Sequence, residues 1–113
     1  MWVEGDIVHI KVFKEKYTID DMKETYQSFD ELAQTFEGKA KILLDLGDLK
    51  SIERDARTYG AQAITADKYA KVAGVPRNPV QRLIASFFLG LQKLEVPAKI
   101  FGNVEEAEKW LKE

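Results

Sequence analysis

Apolar and polar residues alternate early in the chain and then recur at helical spacing. In the stretch 7–13, IVHIKVF, Val8, Ile10 and Val12 fall on one side and His9 and Lys11 on the other, the period of a half-buried strand. Residues 1–4 read as a short strand. The Glu-Gly-Asp run at 4–6 is a turn signal, so the chain should open with a β-hairpin. Thr18 stands before Asp20 and Asp21, as at a helix start, and Met22, Tyr26, Phe29, Leu32, Ala33 and Phe36 follow at helical spacing until Gly38.

The pattern then repeats. The stretch 41–46 is a second long strand, with Ile42, Leu44 and Leu46 sharing one side and Lys41 and Asp45 the other. A helix is predicted over 53–68, with Gly60 weakening it, and a short strand over 71–75. Asn78 and Pro79 suit the cap and first residue of a helix running to about Leu94. A strand over 96–101 and a helix over 104–112, with Ala107, Trp110 and Leu111 on one side, complete the order β-β-α-β-α-β-α-β-α.

Strands alternating with helices predict an α/β fold with a mostly parallel five-stranded sheet and right-handed crossovers. A sheet buried on both faces reads as near-continuous apolar runs. Here Lys11, Lys41, Lys71 and Lys99 interrupt the strands. The expectation is that the helices lie on one face and that the other is partly open. That open face, with Leu43 and Phe101 among its apolar residues, is then a candidate interface. In the helix 79–94, Val80, Leu83, Ile84, Phe87, Phe88, Leu91 and Leu94 form an apolar stripe for the core, and Leu89 falls nearly opposite it as a second candidate interface.

Three segments carry a resemblance. They are KILLDLGDLKSI at 41–52, KVAGVPRNPVQRLIASFFLGLQKLEVPAKIF at 71–101 and EEAEKWLKE at 105–113. With the hairpin they resemble the STAS domain, the SpoIIAA-like fold of bacterial anti-sigma-factor antagonists, and most closely its uncharacterised STAS/Sec14-like branch. The resemblance implies one domain over residues 1–113, acting as a regulatory or protein-interaction module. In antagonist proteins of that family a phosphorylated serine opens the helix after the Leu-Leu-Asp-Leu strand. Aligned from Asp45, that position falls on Asp55, which has no hydroxyl. Ser51, Arg54 and Asp55 are therefore the candidate switch-loop residues, and Asp55 also suits the first turn of a helix through its dipole.

Composition narrows the chemistry. The chain has 113 residues, enough for one core. A net charge of −2 and a pI of about 5.5 give no basic excess for nucleic acid or for an anionic bilayer. There is no cysteine and one histidine, which excludes thiolate catalysis, zinc-thiolate sites and any two-histidine metal site. No catalytic residue, metal or cofactor is expected, and the chain is read as a non-enzyme. His9 with Asp45 across adjacent strands is the one conceivable catalytic pair. With no signal peptide and no transmembrane stretch, a cytoplasmic setting is expected. The stretch VPRNPVQR at 75–82 leaves one anion-binding candidate: Arg77, Asn78 and Arg82 at a helix N-terminus. A protein partner, including a second copy as a homodimer, is thus weighed against a small anionic or lipid-like ligand near that loop.

Overall fold

The computed structural model describes residues 1–35, 37–86 and 94–113. Its elements are β1 (Trp2–Glu4), β2 (Ile7–Lys11), β3 (Lys16–Tyr17), α1 (Ile19–Ala33), β4 (Ala40–Asp45), β5 (Ser51–Ile52), α2 (Arg54–Ala63), β6 (Tyr69–Val75), α3 (Pro79–Ser86), β7 (Ala98–Ile100) and α4 (Val104–Leu111). Five strands form one sheet in the order β1-β2-β4-β6-β7, with β1 antiparallel to β2 and the other pairs parallel. No described helix is long and apolar enough to cross a membrane.

Local chemistry sets the helix starts. Thr18 caps α1 reciprocally with Asp21: its hydroxyl accepts from the Asp21 amide at 3.2 Å, and the Asp21 carboxylate accepts from the Thr18 amide at 2.9 Å. Asn78 and Asn103 cap α3 and α4 by accepting from the amides of Gln81 and Glu106, at 2.9 and 2.8 Å. The helix expected over 53–68 stops at Ala63. Ile64 turns extended and is buried in the core, and the amides of Lys68 and Tyr69 then bond the Thr65 carbonyl. Burial of Tyr69 lengthens β6 by two residues at its start.

The strand order decides where the helices lie. Each parallel crossover steps the same way along the sheet, so the right-handed rule puts α1, α2 and α3 on one face. Val8, Ile42 and Val72 meet Phe29 of α1 there, and the Phe29 and Tyr69 rings stack at 4.8 Å. The Tyr26 hydroxyl donates to the Gly60 carbonyl at 3.0 Å and ties α1 to α2.

Two expectations are corrected. The opposite face is not open: α4 packs on it, with Ala107 and Leu111 over Leu43, Ala73 and Val75. It follows the last strand, makes no crossover, and so is not bound by the rule that places the others. Two lysines of this face, Lys71 and Lys99, serve the helix, while Lys41 pairs with Asp6 and Lys11 lies over Phe13. Lys71 Nζ donates to the carbonyls of Trp110 and Glu113 at 3.0 and 3.2 Å and lies 4.8 Å from the Trp110 ring centroid. Leu43, expected as an interface residue, is 1% exposed, and Phe101 is half-buried against Trp110. Second, α3 buries Gln81 and Ala85 and leaves Val80 and Leu83 57% and 63% exposed, not in the core stripe expected of them. The expectations at Phe36, Phe87, Phe88, Leu89 and Leu91 lie outside the described residues. The two-stranded parallel ribbon β3-β5, with Lys16 opposite Ser51 and Tyr17 opposite Ile52, was not expected.

Candidate functional site

The carboxyl ends of β2, β4 and β6 are where an open α/β sheet offers a site. Asp45 ends β4, and its register partner on β2 is Lys11. Its carboxylate is closed by Arg77, whose Nε donates to Oδ1 at 2.8 Å and whose Nη2 donates to Oδ2. The Gly47 amide donates to Oδ1 at 3.0 Å. The Arg77 guanidinium, with the Gly47 amide behind it, holds the Asp45 carboxyl below the usual carboxylate range. Gly47 has a φ of 51°, and a Cβ there would stand 2.1 Å from the Val12 carbonyl oxygen, so the turn admits glycine alone without rearrangement.

Gln81 bolts this turn to α3. Its Nε2 donates to the carbonyls of Gly47 and Leu49, both at 2.9 Å, and its Oε1 accepts from the Arg77 amide at 2.8 Å. The side chain is 1% exposed and all its amide groups are satisfied. This explains the orientation of α3: the helix turns Gln81 inward to the loop carbonyls, and Val80 and Leu83 are turned outward. A shallow cleft of about 350 Å³ lies outside the bolt, lined by Phe13, Glu15, Asp48, Lys50, Asn78 and Gln81. Phe13 on its rim is 71% exposed.

The candidate anion site is built differently from its expectation. The Arg77 guanidinium faces Asp45, the Arg77 amide faces Gln81, Asn78 caps the Gln81 amide, and Pro79 has no N–H. Arg82 is exposed on the first turns of α3. Of the switch-loop candidates, Ser51 lies exposed in β5, and Arg54 and Asp55 lie exposed in the first turn of α2. The structure brings Arg77 onto Asp45 and Asn78 to the cleft beside the Gly47 turn, and the sequence offered no signal for the Asp45–Arg77 pair beyond their places at the ends of adjacent strands.

Residues 1–113 match the model of a family described as a domain of unknown function, DUF7793. The chain belongs to that family. No curated protein and no solved structure matches it. The DUF7793 match covers the hairpin, the bolted loop and α4 together, so the three belong to one family unit.

A second polar cluster sits under α4. His9 does not meet Asp45, the partner expected for it. It lies between Glu4 of β1 and Glu108 of α4, with Nε2 at 3.5 Å from Glu4 Oε2 and 3.9 Å from Glu108 Oε1. The Trp2 ring stacks on the imidazole at 4.9 Å between centroids. The hairpin register, Trp2 opposite His9 and Glu4 opposite Ile7, places Trp2, Glu4 and His9 on one face. The sequence suggested the hairpin; it did not suggest that α4 would bring Glu108 over it.

A third feature is internal. An apolar cavity of about 80 Å³ lies between the sheet and the helices, lined among others by Ile10, Tyr26, Leu44, Ile64, Val72 and Ile84.

Proposed function

We propose that this chain is a non-enzymatic module of the STAS type that acts by binding a protein, through the side of the molecule formed by Phe13, Val80 and Leu83. One observation carries the reading. Five large apolar side chains are exposed among the described residues; two of them, Val80 and Leu83, project from α3, and a third, Phe13, borders the cleft that Asn78 and Gln81 of the same segment line. Exposed apolar side chains gathered beside a polar rim are the usual mark of a protein-binding surface. The backbone beneath is fixed by Gln81 and by the Asp45–Arg77 pair, so the surface is preorganised. A monotonic strand order with its crossover helices on one face also agrees with the SpoIIAA-like fold that the resemblance implies. On the alignment that the resemblance implies, the exposed Asp55 takes the place of that family's serine, so binding here is not proposed to depend on phosphorylation.

The alternative, a small anionic or lipid-like ligand near 75–82, has less support. Three donors of the loop are already engaged within the protein. The apolar cavity is smaller than the roughly 150 Å³ needed for one benzene.

A photo-crosslinking residue at position 83, introduced in the host cell, tests the proposal. Adducts of one defined mass are expected, to be lost on Phe13→Ser with the fold retained. Adducts at 83 no more frequent than at Asp30, exposed on α1, would sink the reading.

A further inference from the structure

We propose that Glu4, His9 and Glu108 form a binding site for one divalent cation of the zinc class, held by His9 Nε2 and one oxygen from each carboxylate, with water completing the shell. The three ligand atoms lie within 4.8 Å of one another. They come from β1, β2 and α4, three elements that the fold already holds together.

The decisive observation is the imidazole. His9 is 4% exposed, and its buried Nε2 has no hydrogen-bond partner among the described residues. A buried polar atom without a partner is uncommon and asks for an explanation. Protonation does not supply one. An imidazolium N–H bonded to a carboxylate draws the oxygen to about 2.7–2.9 Å, and a single N–H serves one acceptor. Here two carboxylates stand off the same nitrogen, at 3.5 and 3.9 Å.

A cation between them accounts for both. At metal–ligand bonds of about 2.0–2.2 Å, a 3.5 Å separation subtends an angle of about 115° at the metal, close to tetrahedral. The 3.9 Å separation subtends about 140°, so a tetrahedral shell requires Glu108 to approach Nε2 by a few tenths of an ångström and the two carboxylates to close toward the ion. Glu4 and Glu108 are 63% and 30% exposed, which leaves them room to adjust. The cation also removes the repulsion between two carboxylates facing one site. Trp2 fixes the plane of the imidazole by stacking. An imidazole with two carboxylates suits zinc, cobalt or manganese, not magnesium, which keeps its water. The bound ion would pin α4 to the hairpin and stabilise the folded state in proportion to its occupancy.

The test uses untagged protein, because its only histidine is His9. Zinc chloride is titrated into chelator-stripped protein at pH 7.5 while the imidazole nitrogens are followed by NMR. The expected result is one equivalent bound, a shift of the Nε2 resonance, and a rise in Tm that magnesium does not reproduce. Glu4→Gln and Glu108→Gln should each weaken binding about tenfold or more without unfolding the protein, while Glu105→Gln, exposed on the same helix, leaves it unchanged. Cobalt should give visible absorption in the wild type that is lost in the Glu108→Gln protein. Zinc that binds without moving the imidazole signals, or equally well to both glutamine variants, would overturn the site, as would no saturable binding.

Discussion

Two polar side chains are buried on the same face of the sheet, one toward each end of their strands, and they are treated oppositely. Asp45 at the carboxyl end receives two bonds from Arg77 and one from Gly47. His9, nearer the amino end on the adjacent strand, has an Nε2 that makes none among the described residues. The first group is integrated into the architecture: remove it and the loop loses its anchor. The second is held in place by stacking and by the strand, while its nitrogen is left unengaged. Burial alone therefore does not separate a structural polar group from a binding one. Satisfaction of its hydrogen bonds does.

The comparison can be broken most severely at Gln81. Replacing it with Ala strands the Gly47 and Leu49 carbonyls and the Arg77 amide, so a loss of about 3 kcal/mol is expected in urea denaturation. A loss under about 1 kcal/mol would mean that water takes over the bonds and that the bolt is ornamental. Asp45→Asn comes next, at about 1–2 kcal/mol near neutral pH, discounted because Arg77 is half exposed. Its pH dependence is specific. The folded carboxyl titrates below its ordinary 3.8, so its contribution is present above that value and is lost as pH falls through the lower, folded one. The gap between wild type and variant should close in acid; a gap that stays constant to low pH would show that the charge of Asp45 does not matter.

The smallest effect is expected at the other end. His9→Phe keeps the stacking on Trp2 and removes an unpartnered nitrogen. In chelator it should change stability by no more than about 0.5 kcal/mol in either direction, because no hydrogen bond is lost. A loss as large as that of Asp45→Asn would show that the imidazole is bonded in solution and would erase the distinction between the two ends.

Much of the frame was legible in the sequence because it rests on periodicity. The hairpin, the long strands, the Thr18 and Asn78 regions, the last helix and the parallel order all follow from patterns several residues long. The ribbon β3-β5 was not legible, since two residues per strand carry no period. The burial of Gln81 was hidden for another reason: a helix presents the face that meets its partner, and a glutamine bonded to loop carbonyls outcompetes Val80 and Leu83 for the inward position. The placement of α4 was nearly legible. Ala107, Trp110 and Leu111 mark an apolar side that needs a surface, and only one face of the sheet had no helix on it. Of the lysines that suggested an open face, Lys71 and Lys99 instead lie against the Trp110 ring of that helix, and Lys71 also bonds its last carbonyls.

That late helix bears on how the chain assembles. Every strand beneath α4 precedes it, so during synthesis the sheet can form while Leu43, Ala73 and Val75 still face water. Half-made sheets with bare apolar faces are prone to associate wrongly. The interval lasts until α4 emerges and docks. Lysines spaced along the bare face keep it charged and wet in that interval, a gatekeeping role that ends when Lys71 meets the carbonyls at the end of α4. Lys71 thus first helps protect the nascent sheet from other chains and then fastens its cover.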